Sequence, residues 1–209
     1  YDMQCFFGNS GAEANEGAIK IARKHGERDG EIKRYKIITL QHSFHGRTIT
    51  TVKATGQESM HNYFGPFPDG FVYADDIEQI ESLLDNHTAG VMIELVQGEG
   101  GVQPQDKAAV QKLEKLLKSK GILLMIDEVQ SGAYRTGEFL ASQVYGITPD
   151  IITLAKGVGG GVPIAVKAAI NAVLLVLKKD NKESFKLLAN YMDGKIDIEQ
   201  FNKSPQIRS

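Results

Sequence analysis

The sequence predicts an α/β fold with a mostly parallel sheet flanked by helices. Short apolar runs bounded by turn residues, which are typical of buried parallel strands, alternate with amphipathic helical patterns. Two of these runs end in opposite charges: Asp127 follows Gly121–Ile126, and Lys156 follows Asp150–Ala155. Strands that alternate with helices in this way are joined by right-handed crossovers.

A strand, a turn and a helix are predicted in that order at the start of the chain. Met3–Phe7 is a short apolar run, and Gly8–Gly11 is a turn. Ser10 and Glu13 have the spacing of a capping box, in which two side chains satisfy backbone N–H groups at a helix start. An apolar stripe at helical spacing follows, and this helix is predicted to end near Gly26.

Two more strands and two more helices are predicted before the charged strand ends. Lys36–Leu40 and Gly90–Glu94 are apolar runs of strand length. Asp75–Leu84 has the spacing of an amphipathic helix. Asp106 is expected to cap a further helix, which ends at Gly121.

The composition is that of a globular protein and excludes several function classes. The 209 residues carry a net charge of −2, which favours neither nucleic acid nor an anionic membrane as a partner. Cys5 is the single cysteine, so no internal disulfide can form and a reducing, cytosol-like compartment is expected. The apolar stretch Ala168–Leu177 is far shorter than a membrane span. Because the chain begins at Tyr1, we expect a piece of a longer protein.

Three predicted strands end in ionisable residues: Glu94, Asp127 and Lys156. Open α/β folds bind ligands at the carboxyl ends of their strands, and a lone charge there is costly to bury. Lys156 is followed by the glycine-rich segment Gly157–Gly161, where the backbone can be approached closely. A lysine in a partly dry pocket can form a Schiff base. The alternative is a surface lysine that pairs with Asp127.

Two loops offer further candidate binding groups. Gly8–Ala12 precedes a helix, whose free N–H groups can bind an anion, although most such turns only cap a helix. The loop His42–Thr48 contains two histidines without a third ligand at recognisable spacing, which disfavours zinc. Arg47 in this loop suits a carboxylate, which its planar fork can bind with two hydrogen bonds. The alternative is a solvated loop arginine.

Six ordered motifs carry a resemblance to a known family. They are Gly8–Glu16, Ser43–Thr48, Val96–Gly101, Ile126–Gln130, Arg135–Gly137 and Leu154–Lys156. Together they resemble the class-III aminotransferases, which are pyridoxal-phosphate-dependent enzymes. The resemblance covers about Phe6–Ile164, and the 29-residue step from Asp127 to Lys156 agrees with the family's spacing.

The resemblance implies the large domain of a fold-type I pyridoxal-phosphate-dependent transferase, in an incomplete form. Residues 1–164 would form this cofactor-binding domain, and residues 165–209 a helical tail, with a helix over 165–178. The family pattern continues with further strands and a loop that reaches the partner subunit's cofactor phosphate, and nothing here matches it. Leu95 also stands where the family usually has proline.

The resemblance also assigns roles at the site. Lys156 would hold pyridoxal 5'-phosphate as a Schiff base and then move a proton as general base and acid. Asp127 would keep the pyridine nitrogen protonated. The other implied cofactor contacts are Ser10, Gly11, Ala12, Phe44, Glu128, Val129 and Gln130. The implied substrate contacts are Arg47, Glu94 and Glu99, and no metal is expected.

The function implied by the resemblance is transamination in arginine biosynthesis. The chain would move an amino group from N-acetylornithine, or a similar ω-amine, to 2-oxoglutarate. We expect a homodimer in the cytoplasm, without nucleic-acid or membrane partners. Succinylornithine, ornithine and 4-aminobutyrate are alternative donors. An inactive large-domain fragment or interaction module is the alternative to an enzyme.

Overall fold

A seven-stranded sheet forms the centre of the protein in the computed structural model, which describes residues 3–27 and 33–170. The strands of this sheet are β1 (Met3–Gly8), β2 (Lys36–Leu40), β3 (Phe71–Ala74), β4 (Thr88–Ile93), β7 (Leu123–Asp127), β8 (Ile151–Leu154) and β9 (Ala165–Ile170). A separate two-stranded ribbon contains β5 (Val96–Gln97) and β6 (Gln103–Pro104). The helices are α1 (Gly11–Gly26), α2 (Ile49–Ala54), α3 (Ile80–Leu83), α4 (Lys107–Lys120) and α5 (Ala141–Tyr145).

The sheet is mostly parallel, as the sequence predicts. Its strand order is β1-β9-β8-β7-β4-β2-β3, and neighbours from β8 to β3 are parallel. Only β9 runs against its neighbours, pairing antiparallel with both β1 and β8. Every residue of β4, β7 and β8 is buried, so these three strands form the centre of the core. Their carboxyl ends meet at one edge, where a ligand site is expected.

Local sequence signals set the ends of the two long helices. Ser10 Oγ accepts a hydrogen bond from Glu13 N at the start of α1, and Asp106 Oδ1 accepts one from Ala109 N at the start of α4. Gly121 ends α4 in a left-handed conformation with φ of 61°, which glycine adopts without steric cost. The predicted caps of both helices are confirmed.

Two predictions of secondary structure are wrong or incomplete, and one strand of the sheet was missed. The helix predicted over Asp75–Leu84 is reduced to α3, because Gln79 Oε1 accepts from Asp75 N and Asp76 Oδ1 accepts from Gln79 N, which holds residues 75–79 in a turn. Strand β3 was not predicted. The helix predicted over residues 165–178 is wrong for 165–170, which form β9 because β1 and β8 pair with it on both sides. Its remaining residues, and the rest of the predicted tail, lie outside the described residues.

Within the ranges that the structure describes, no helix has both the length and the apolar character needed to cross a membrane.

Candidate active site at the carboxyl edge of the sheet

A cleft of about 390 Å³ lies where the central parallel strands end and α1 begins. It brings together ten of the twelve residues predicted for the site. They are Ser10, Gly11, Ala12, Phe44, Arg47, Glu94, Asp127, Val129, Gln130 and Lys156. Residues from both ends of the described chain therefore meet at one edge of the sheet.

The Asp127 carboxylate is buried at the end of β7 and is surrounded by hydrogen-bond donors. Its Oδ2 atom accepts from Asn15 Nδ2 at 2.7 Å and lies 2.8 Å from His45 Nδ1. Its Oδ1 atom accepts from the backbone N–H of Val129 at 3.1 Å. Hydrogen bonds to a carboxylate favour its ionised form, so the geometry is that of a held anion.

The His45 imidazole is fully buried beside this anion. Burial lowers the pKa of His45, but the hydrogen bond to Asp127 and the negative charges of Asp127 and Glu94 outweigh it. The net result is a raised pKa. Because Asp127 Oδ2 can only accept, the imidazole carries its proton at Nδ1.

Lys156 lies two residues beyond β8, at the start of a short 3₁₀ turn that ends at Gly159. Its φ is 49°, in the left-handed region that non-glycine residues rarely adopt. Such strain is often found at functional sites. Within residues 3–27 and 33–170, no acidic group lies within ion-pair distance of Lys156, so it does not pair with Asp127 as in the alternative reading.

The start of α1 presents free backbone donors to the cleft. The predicted capping box of Ser10 and Glu13 forms only in part: Ser10 Oγ accepts from Glu13 N, but Glu13 Oε2 accepts from Asn9 N at 2.7 Å, one residue before the cap. Gly11 and Ala12 are in the first turn, where N–H groups have no partner within the helix, and both residues line the cleft. A Cβ atom on Gly11 would lie 2.9 Å from Val129 Cγ1, so this position accommodates only glycine without movement.

The loop before α2 carries Phe44 and Arg47 into the cleft. Glu94 Oε2 anchors it by accepting from Phe44 N at 2.9 Å. Gly46 has a φ of 136°, and a Cβ there would lie 2.7 Å from Ala12 Cβ, so the loop lies directly against the start of α1. Burial raises the pKa of Glu94 to about 7. Arg47 is exposed and forms no ion pair with any described residue.

The comparison with known proteins decides the family. The model of the class-III aminotransferases matches residues 1–185. The chain belongs to the class-III aminotransferase family. Members of this family are pyridoxal-phosphate-dependent enzymes.

Individual aminotransferases match most of this chain but less than half of their own length. The chain is 64% identical to the acetylornithine aminotransferase of Wolinella succinogenes over 179 residues, covering 85% of this chain and 44% of that protein. It is 47% identical to the acetylornithine/succinyldiaminopimelate aminotransferase of Buchnera aphidicola, with the same coverage. The ornithine aminotransferase of Toxoplasma gondii superposes with a TM-score of 0.77 at 36% identity, covering 83% of this chain and 42% of that structure.

Two residues predicted for the aminotransferase site do not line the cleft. Glu99 is exposed and reaches the site only through Gln130, whose Nε2 donates to Glu99 Oε1 at 3.1 Å. Glu128 points away from Asp127, and its carboxylate accepts from Ala141 N and Ser142 N at the start of α5. The Glu128 side chain therefore faces the start of α5 and does not line the cleft, because consecutive side chains at a strand end face opposite sides.

Three residues at the aminotransferase site were missed or misread from the sequence. Asn15 and Thr153 were not predicted, and His45 was considered only as a metal ligand. Asn15 lies on the apolar side of α1 among Ala14 and Ala18, and it is 1% exposed. A polar residue on an apolar helix face is a signal that sequence reasoning can use, although it does not reveal the partner.

Proposed function

We propose that this chain forms the pyridoxal-phosphate-binding part of an aminotransferase that moves an amino group from N-acetylornithine, or a similar ω-amine, to 2-oxoglutarate. The observation that carries the proposal is the meeting of Asp127, Lys156 and the start of α1 in one cleft. These three groups offer an anion, a primary amine and a set of backbone N–H donors.

The residues present fit the cofactor. Gly11 and Ala12 would bind its phosphate with their backbone N–H groups, since the start of a helix favours an anion. Asp127 would accept from the protonated ring nitrogen, and Lys156 would hold the cofactor covalently through Nζ. A Cβ on Gly11 would clash with Val129, so the absence of a side chain lets the start of α1 lie directly against this wall of the cleft.

The chain's own residues supply binding, orientation and proton transfer. When bound, the cofactor supplies an electron sink that stabilises negative charge on the reacting substrate carbon. Asp127 holds a proton at the ring nitrogen because its carboxylate is a buried, hydrogen-bonded anion. The Lys156 amine accepts and returns a substrate proton when it is free. Phe44 and Val129 provide apolar walls on the cleft.

Arg47 and Glu94 favour an amine substrate that also carries a carboxylate. Arg47 lines the cleft and forms no ion pair with a described residue, and its guanidinium fits a carboxylate bidentately. Glu94 adds a carboxyl group that titrates near neutral pH. The names of the Wolinella and Buchnera relatives support an acetylated ω-amine as the donor.

A half-reaction assay tests this proposal. The chain is loaded with pyridoxal phosphate, and N-acetylornithine, ornithine and 4-aminobutyrate are added separately while the visible absorbance of the cofactor is followed. We expect N-acetylornithine to bleach the band fastest, and Arg47→Gln to slow bleaching more than Arg47→Lys. A cofactor band that no donor bleaches contradicts the proposed activity. Absence of any band in the folded chain contradicts cofactor binding itself.

A second candidate function is cofactor binding without transamination. The chain spans about 44% of the length of the relatives it matches, and the residues that carry the cofactor proposal all lie in the described part. This fragment would give the cofactor band but no bleaching with any donor.

The proposed assembly is a homodimer, and the proposed location is the cytoplasm. Native mass spectrometry of the loaded chain tests the assembly, with a peak at twice the chain mass as the expected result. A peak only at the chain mass contradicts a dimer of this chain.

A further inference from the structure

Asn15 lines the cleft and connects four separate segments of the fold there. Its Nδ2 atom donates to His45 O at 2.8 Å and to Asp127 Oδ2 at 2.7 Å. Its Oδ1 atom accepts from Thr153 Oγ1 at 2.7 Å. Both amide protons and the amide oxygen are thus used in one buried network.

The surroundings of Asn15 fix the orientation of its amide. Both groups facing Nδ2, the His45 carbonyl and the Asp127 carboxylate, can only accept. Thr153 faces Oδ1 with a hydroxyl that can donate, and Thr153 lies directly opposite Asp127 in the register of β7 and β8. A flipped amide would place Oδ1 against the carboxylate and lose both donated bonds.

Asn15 lies about one helical turn after Gly11, the first residue of the proposed phosphate-binding site. Since an α-helix rises about 1.5 Å per residue, Asn15 is about 6 Å along the axis from Gly11. The rigid first turn of α1 therefore joins the free N–H groups of Gly11 and Ala12 to the carboxylate of Asp127. No flexible loop lies between these two groups.

We propose that Asn15 is a positioning residue that sets the place and charge of Asp127 relative to the start of α1, so that one cofactor can meet both. The proposal rests on the proposed function. In this role, Asn15 influences the bound cofactor through Asp127. In a purely structural role, its amide would only be hydrogen-bonded within the core and would not influence the cofactor. Thr153 supports this role by holding the amide in its orientation.

The variant Asn15→Asp tests the charge part of the proposal. It keeps the size of the side chain and an acceptor for Thr153, but it places a second carboxylate at the Asp127 Oδ2 atom. Two facing carboxylates share a proton, because like charges at this distance cannot both ionise. Asp127 then offers less negative charge to the ring nitrogen.

The readouts are cofactor affinity and the pH midpoint of the bound cofactor's visible absorbance. We expect N15D to weaken pyridoxal-phosphate binding at least about tenfold, the effect of losing one hydrogen bond to a charged group. We also expect the midpoint to fall, because a weaker nearby anion favours the protonated cofactor less. The matched pair T153V and T153S separates the hydroxyl from packing: T153V should move both readouts in the same direction, and T153S should restore them.

Each outcome bears on the proposal. Wild-type affinity and midpoint in folded N15D and T153V would overturn it, and if N15D does not fold, T153V decides alone. Carboxyl-carbon NMR of the cofactor-free chain gives a second readout, because N15D should show an additional carboxyl titration above the usual aspartate range. Its absence would overturn the Asn15 proposal, whereas a wild-type chain that binds no cofactor would overturn the proposed function.

Discussion

His45 Nδ1 lies 2.8 Å from Asp127 Oδ2, and the two side chains are 0% and 3% exposed. A buried imidazole and a buried carboxylate at this distance stabilise each other's charged forms, and breaking such a pair leaves an uncompensated charge. Both residues line the cleft, so the stability of the fold and the electrostatics of the site depend on the same contact.

The first prediction concerns the pH dependence that His45 gives to stability. Because its folded pKa is raised, His45 contributes stability that is fully present below its unfolded pKa of about 6.5 and is lost as pH rises through the folded pKa. His45→Asn keeps a donor near the Nδ1 position but does not titrate. Urea unfolding from pH 5.5 to 9 should show a stability advantage of wild type over H45N that shrinks as pH rises. A constant difference would contradict the charged pair.

The second prediction concerns Glu94, whose folded pKa is raised to about 7 by burial. The folded state holds this proton more tightly than the unfolded state, so stability is lost as pH rises from about 4.5 through 7. Glu94→Gln keeps an acceptor for Phe44 N and removes the titration. We expect E94Q to gain stability relative to wild type, about 3 kcal/mol at pH 8 and nearly nothing at pH 4.5. An equal effect at both values would show that Glu94 does not titrate in this range.

The sequence predicts the core of the fold better than its edges. Four strands, β2, β4, β7 and β8, are apolar runs of strand length. Such runs indicate buried strands by themselves, so their prediction needed no knowledge of the strands beside them. β9 was predicted as a helix because three of the six residues of Ala165–Ile170 are alanines, which favour a helix. Only its pairing with β1 and β8 makes it a strand, and this information lies far away in the sequence.

In the candidate site, too, residues with a local sequence signal were predicted and residues that depend on distant partners were not. Asp127 and Lys156 were predicted because charges at the ends of apolar strands are conspicuous and costly. Asn15 was missed because its partners are 30, 112 and 138 residues away, so no local spacing indicates them. The side chain of Glu128 lies outside the cleft, which its position next to Asp127 in the sequence could not show, because adjacency does not specify the side of the strand that a residue faces.

The third prediction separates helix capping from ligand binding. Ser10 and Asp106 cap α1 and α4 in the same way, but only Ser10 lines the cleft. Replacing either residue by alanine should lower the free energy of unfolding by about 1 kcal/mol. S10A should also weaken pyridoxal-phosphate binding in a fluorescence titration, while D106A leaves it unchanged. Equal affinities of the two variants would argue against a ligand at the start of α1.

The fourth prediction concerns the space between α1 and Val129. Gly11→Ala would place Cβ within about 3.0 Å of both Val129 methyl groups, so we expect a loss of about 1–3 kcal/mol from overpacking. Gly8→Ala is the matched control, since its nearest contact would be at 3.4 Å. Adding Val129→Ala should restore part of the stability of G11A in thermal unfolding. If Val129→Ala does not restore the stability of G11A, the contact with Val129 is not the cause of the loss.

Covalent trapping on Lys156 tests the central claim most directly. The folded chain is incubated with pyridoxal phosphate, reduced with borohydride, digested and analysed by mass spectrometry, with Lys156→Arg as the control that keeps the charge but removes the primary amine. The account predicts one stoichiometric cofactor adduct on Lys156 in wild type and none at that position in K156R. Unmodified Lys156, or an adduct spread equally over surface lysines in both proteins, would contradict it.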